Sequence, residues 1–186
     1  MKIGFRFDID GTIAQPKWDH PDFRMCTQAY IDAGIVTPEE VASLRRPVHQ
    51  HLFLLPHVLL THAPIPGAIK SLQQLAQEQT SFQYVTVRQA LDPDVCQLVH
   101  ANTHSWLEQH HFPAPGDVRF FWDAVEKLRV ALEAPEPWVM LIDDRPAGLL
   151  EAYQQEAKQN LQQAKEIKER VILVAYGYST LEQVPT

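Results

Sequence analysis

Hydrophobic and polar residues alternate from the start of the chain. Ile3, Phe5, Phe7 and Ile9 take one parity, while Lys2, Gly4, Arg6, Asp8 and Asp10 take the other. A period of two predicts a β-strand, which Gly11-Thr12 ends. Short runs rich in β-branched and aromatic residues predict four more strands, at Phe82 to Val87, Val118 to Trp122, Trp138 to Ile142 and Val171 to Ala175. Between them the apolar spacing changes to three and four. Ile69, Leu72, Leu75 and Ala76 follow Pro66-Gly67; Val95, Leu98, Val99, Trp106 and Leu107 follow Asp92-Pro93; Val125, Leu128 and Leu132 follow Trp122-Asp123. Each set predicts an amphipathic helix facing a sheet. Gly148 to Arg170 predicts one long, partly polar helix with a solvated face from Glu151 to Glu169. Strands alternating with helices predict an α/β fold, a doubly wound parallel sheet.

One segment, 18–63, interrupts the alternation. It carries helical pieces at Phe23 to Ala33 and Pro38 to Leu44, the second with Thr37 as N-cap and Glu40 three residues on, and it leads into a Pro/His-rich stretch from Pro47 to Pro66. A crossover within one layer needs far fewer residues than this. The reading is a small helical cap (18–63) inserted after the first strand, over the C-terminal edge of a core made of 1–17 and 64–186. Arg6, inside the first strand, calls for an acidic partner from a neighbouring element.

Composition narrows the class. At 186 residues the chain has room for one domain with a modest insertion. Its 16 Lys and Arg against 23 Asp and Glu give a net charge of -7, which argues against a nucleic-acid polymer as partner. The two cysteines, Cys26 and Cys96, fall in helical patterns and read as core rather than as a disulfide or a nucleophile. His49, His51, His57, His62, His110 and His111 read as surface or structural residues, without the fixed geometry of a transition-metal site. No apolar run reaches the roughly 18 residues of a membrane span, and no signal-like segment follows Met1. A cytoplasmic protein, monomer or homodimer, is expected.

The candidate chemistry lies at strand ends. Asp8-Ile9-Asp10-Gly11-Thr12 closes the first predicted strand and Asp143-Asp144-Arg145-Pro146 closes the fourth. Open α/β sheets bind ligands at that edge. Carboxylates packed so closely repel unless a cation compensates, and hard oxygen donors favour magnesium. On a parallel sheet the two pairs converge on one metal. A phosphate dianion approaching these acids also needs a positive side chain. The only lysine between Arg88 and Asp143 is Lys127, with Arg119 and Arg129 as substitutes if helix register turns it away. Thr12 offers a hydroxyl and an amide to a substrate, and Arg88 is a candidate for a second phosphate or substrate charge.

Asp8-x-Asp10-Gly11-Thr12, Thr86 at the end of the second long strand, Lys127 and the Asp143-Asp144 pair resemble, in order and spacing, the four motifs of the haloacid dehalogenase-like hydrolase superfamily. The resemblance spans nearly the whole chain, and 18–63 looks like that family's inserted cap. It implies a Rossmann-like core and a magnesium-dependent phosphatase acting on a small phosphomonoester. In that reading Asp8 is the nucleophile that forms an aspartyl-phosphate, and Asp10 the acid and then the base. Thr86 bonds a phosphate oxygen, and Lys127 neutralises the phosphate. The resemblance puts magnesium on Asp8, Asp10 through its backbone carbonyl, Asp143 and, as a supporting acid or through water, Asp144. Asp143-Asp144-Arg145-Pro146 and the compact cap are also similar to the 5'(3')-deoxyribonucleotidase branch, where Trp18, Phe23, Tyr30 and Phe53 either stack on a base or fill the cap's own core. Val87-Arg88 departs from the small residues many members carry after the threonine. Two rivals share the scaffold: a non-catalytic phosphate- or metal-binding regulatory protein, and a phosphotransferase.

Overall fold

The computed structural model describes residues 2–15, 21–34, 37–40, 56–78, 80–89 and 93–177. Five parallel strands form the central sheet: β1 (Ile3–Phe7), β4 (Phe82–Thr86), β5 (Val118–Phe120), β6 (Trp138–Asp143) and β7 (Val171–Ala175). Their order is β5-β4-β1-β6-β7, so the chain winds outward from β1 on both sides. Phe7 pairs with Tyr84 of β4 and with Ile142 of β6, which puts the residues just after β1 between the ends of its two neighbours. A two-stranded antiparallel ladder, β2 (Ala14–Gln15) with β3 (Ala63–Pro64), brings together the chain on either side of the inserted segment. Within that segment lie α1 (Pro21–Asp32), a 3-10 turn at Pro38–Glu40 and the short α2 (Pro56–Leu59). Trp18, His49, His51 and Phe53, with the side chains of Phe23, Cys26, Tyr30 and His57, lie outside the described residues.

Helices cover both faces because strand parity sends apolar side chains both ways. Ile9 and Tyr84 pack with Leu72 of α3 (Ala68–Gln77) and with Trp106 and Leu107 of α4 (Pro93–Gln109). Val85 and Leu141 pack on the opposite face with Leu128 of α5 (Ala124–Leu132), Leu149 of α6 (Pro146–Gln159) and Ile167 of α7 (Leu161–Arg170). The parallel sheet flanked by helices is the predicted fold class.

Three local expectations are corrected. The single long helix is two, because Asn160 leaves helical geometry (φ -145, ψ 84) and its Oδ1 accepts from the Gln163 amide at 3.1 Å, capping α7. Asn prefers such a cap to a helix interior because its side chain competes for backbone partners. The third strand stops at Phe120, since Asp123 already caps α5 by accepting from the Glu126 amide at 2.9 Å. Cys96 is not sealed in the core: its half-buried thiol donates to Gln89 Oε1 at 2.8 Å. Arg6 is buried, and burial lowers its pKa while Glu136 and Asp117 partly offset that cost, the acidic neighbours its position called for.

Candidate active site

The acids of the two strand ends meet because β1 and β6 are neighbours in register. The Asp8 amide donates to the Ile142 carbonyl at 2.9 Å, so Asp8 and Asp143 leave the sheet side by side. After Asp8 the chain turns tightly: the amides of Thr12, Ile13 and Ala14 all converge on the Ile9 carbonyl. Gly11 sits in that turn at φ 80, and a Cβ there would collide with the Asp144 carboxylate. Only glycine permits both the turn and the close approach. Gly177, just past β7 at φ 140, lies against the Gly11 carbonyl and the Cβ of Asp144 on the other side.

Asp8, Asp143 and Asp144 are all buried, and each offers one carboxylate oxygen within 4.8 Å of the others. Lys127, in the first turn of α5, is buried too, and its Nζ donates to Asp8 Oδ1 and to Asp143 Oδ2, both at 2.7 Å. The Arg145 amide fixes the other oxygen, Asp143 Oδ1, at 2.8 Å. Asp10 belongs to a second, adjoining group. Arg88 holds its carboxylate in a two-pronged bond, Nε to Oδ2 at 2.8 Å and Nη2 to Oδ1 at 2.5 Å, and Thr86 Oγ1 lies 3.4 Å from Oδ2.

No protein-family model matches the chain, and no curated protein does. Solved structures do. A haloacid dehalogenase-like hydrolase from Bacteroides fragilis aligns with 97% of this chain and 100% of its own at 13% identity, with a TM-score of 0.53. Another, from Burkholderia xenovorans, aligns over 98% of this chain and 86% of its own at 17% identity and a TM-score of 0.50. This is the haloacid dehalogenase-like hydrolase fold. At such identities the likeness speaks for the fold, and the chemistry rests on the side chains in place.

On that fold the electrostatics of the cluster are legible. Burial pushes the Asp8 carboxyl well above the usual carboxylate range; Lys127 pulls it back, and Asp143 and Asp10 push it up again. Burial would lower the Lys127 ammonium, but Asp8 and Asp143 outweigh it and hold the pKa above its ordinary value. Three buried carboxylates against one ammonium leave an excess of negative charge in a poorly solvated place. The donor set is all oxygen and all carboxylate, which fits a hard divalent cation. Among the described residues it is the one cluster able to hold a metal, and no histidine or cysteine belongs to one.

The structure therefore brings Asp8, Asp143, Asp144 and Lys127 together, with Asp10, Thr86 and Arg88 beside them. The carboxylate of Asp10 stands outside the metal-capable cluster with both its oxygens held by Arg88, and it was the Asp10 backbone carbonyl, not this carboxylate, that the resemblance assigned to a metal. Other placements differ from expectation. Arg88, expected to face a substrate charge, is 4% exposed, and its third nitrogen, Nη1, donates to Thr103 Oγ1 at 2.8 Å. Thr12 is fully buried; its amide donates to the Ile9 carbonyl at 3.3 Å, and its hydroxyl has no hydrogen-bond partner. Arg119 pairs on the surface with Glu133 and Arg129 with Glu156, which removes both as substitutes for Lys127. Sequence reasoning missed Thr103. Its only signal was a threonine among apolar positions of α4, which is equally the mark of a hydroxyl bonded back to its own helix.

Proposed function

We propose that this chain is a magnesium-dependent phosphatase that hydrolyses a small phosphomonoester through an aspartyl-phosphate. The observation that carries the reading is the Lys127 ammonium bridging Asp8 and Asp143 beside Asp144, at the sheet edge where such folds react. Asp8, Asp143 and Asp144 would hold magnesium, with the Asp10 backbone carbonyl; bound there, the cation screens the carboxylates and draws charge off the transferring group. The Asp8 carboxylate attacks phosphorus, the bond to the leaving oxygen breaks, and Asp10 gives that oxygen a proton. Water then attacks the aspartyl-phosphate, Asp10 takes its proton, and inorganic phosphate leaves with Asp8 restored. Lys127 aligns Asp8 and offsets the charge of the phosphoryl oxygens, one of which Thr86 bonds.

The chain from 18 to 63 would supply the cap over this edge, and 1–17 with 64–186 the catalytic core; the pairing of Ala14–Gln15 with Ala63–Pro64, which joins the chain where it leaves and re-enters the core, supports that division. A nucleoside monophosphate is the substrate we place first. The test is phosphate release from nucleoside monophosphates, sugar phosphates and p-nitrophenyl phosphate, with and without magnesium. Magnesium-dependent turnover that Asp8→Asn abolishes is the expected outcome, and the preferred compound identifies the leaving group. A protein that binds magnesium yet releases no phosphate from any compound is a regulatory binder instead.

A further inference from the structure

The segment after β4 is fixed by one polar stripe of α4. Cys96, His100 and Thr103 stand at i, i+4 and i+7, hence on one helix face. Cys96 Sγ donates to Gln89 Oε1 at 2.8 Å, while Gln89 Nε2 donates to the Phe120 carbonyl at 3.2 Å. The His100 ring hydrogen-bonds the Arg88 backbone and stacks on Phe120, with 3.7 Å between centroids. Thr103 gives its hydroxyl proton to the Val99 carbonyl at 2.7 Å, so its oxygen is left to accept Arg88 Nη1 at 2.8 Å. Arg88 is thus held at its backbone and at the far side of its guanidinium.

The other side of that guanidinium faces Asp10. A planar fork bonded through two nitrogens fixes the plane and rotation of a carboxylate, which a point charge cannot do. All three guanidinium nitrogens are engaged, two by Asp10 and one by Thr103, so this geometry does not turn the side chain toward a substrate. We propose that Arg88, backed by Thr103, is a positioning residue that aims the Asp10 carboxyl group, in the protonated form that serves as the acid, at the leaving oxygen of the phosphomonoester. The inference rests on the reading of Asp10 as the group that protonates that oxygen. Thr86, whose hydroxyl lies 3.4 Å from Asp10 Oδ2, is then free to exchange Asp10 for a phosphoryl oxygen without loss of Asp10's orientation.

Leaving-group dependence tests the proposal. A poor leaving group such as an alkoxide needs the proton, and p-nitrophenolate hardly does. Arg88→Lys keeps the charge but loses the fork; Thr103→Val keeps the shape but loses the backing. Arg88→Lys is expected to lower kcat/KM, which reports the steps up to leaving-group departure, on alkyl and sugar phosphates by on the order of 10²-fold, the low end of what a positioned acid contributes. On p-nitrophenyl phosphate the loss in kcat/KM is a few-fold, while kcat falls on both classes wherever Asp10, as the base for water, limits the second step, and magnesium affinity is little changed. Thr103→Val shows the same asymmetry to a smaller degree, and it serves where Arg88→Lys lowers the yield of folded protein. Equal losses in kcat/KM on both classes in folded variants overturn the proposal, as do unchanged kcat/KM values on alkyl phosphates. Wild-type protein without turnover on any compound overturns the hydrolase reading and this inference with it, whereas wild-type turnover with equal losses overturns the inference alone.

Discussion

Lys127 is where local charge and global fold depend on each other most. Its ammonium pairs with Asp8 and with one oxygen of Asp143, all within the buried edge of the sheet. Removing one member of a buried ion cluster leaves the others charged and poorly solvated, at a cost of about 3–5 kcal/mol. Lys127→Ala is therefore expected to abolish turnover and to lower stability by about 3 kcal/mol in chelator, read by urea denaturation, with part of the loss restored by magnesium. Gly11→Ala acts through shape instead of charge. The added methyl meets the Asp144 carboxylate at a backbone φ of 80, so Asp144 must move. Magnesium affinity measured by calorimetry should fall, with little change in the far-ultraviolet circular dichroism. Asp8, Asp10, Asp143 and Asp144 were legible as chemistry because paired acids after an apolar strand have few other uses. Arg88 was legible as important but not as a clamp, because one sequence position does not say which of two nearby anions an arginine meets.

At the level of elements, α5 and α6 are tied by charge as well as by packing. Glu156 of α6 is fully buried, and one of its oxygens, Oε2, accepts from Arg129 Nε at 2.9 Å and from Nη2 at 2.7 Å. α5 carries Lys127, so this tie also bears on the acid cluster. Arg129→Ala leaves the carboxylate buried without its cation and is expected to cost about 2–3 kcal/mol, at the low side because the arginine is itself partly exposed. Glu156→Gln in the same background should recover part of the loss, measured by thermal and chemical denaturation. The five strands of the central sheet, in their sequence along the chain, followed from periodicity, because a period of two or of 3.6 is a property of the chain alone; their order within the sheet did not. Element ends did not: Asn160 and Asp123 cap helices where the apolar pattern runs on, and a capping side chain outweighs a weak pattern.

For the molecule as a whole, an acid cluster able to hold a divalent cation is expected to couple stability to metal. A ligand that binds only the folded state stabilises it by about 2.7 kcal/mol at one hundred times its Kd. For a chain of this size that corresponds to a rise in Tm of roughly 5–10 °C. Magnesium is expected to raise Tm by that order, EDTA to reverse it, and Asp143→Asn to remove it, all by differential scanning calorimetry. No helix among the described residues is long and apolar enough to cross a membrane. What the sequence determined by itself was the α/β class, the apolar faces of its elements and the acids gathered at the two strand ends, since these are set by local period and by residue chemistry. What only the tertiary structure decided was which charges meet. The β1–β6 register placed Asp8 against Asp143, the start of α5 sent Lys127 between them, and a stripe of α4 turned Arg88 onto Asp10. Electrostatic contacts across the sheet depend on distances of a few ångströms between residues far apart in the chain, and no spacing along the sequence encodes those distances.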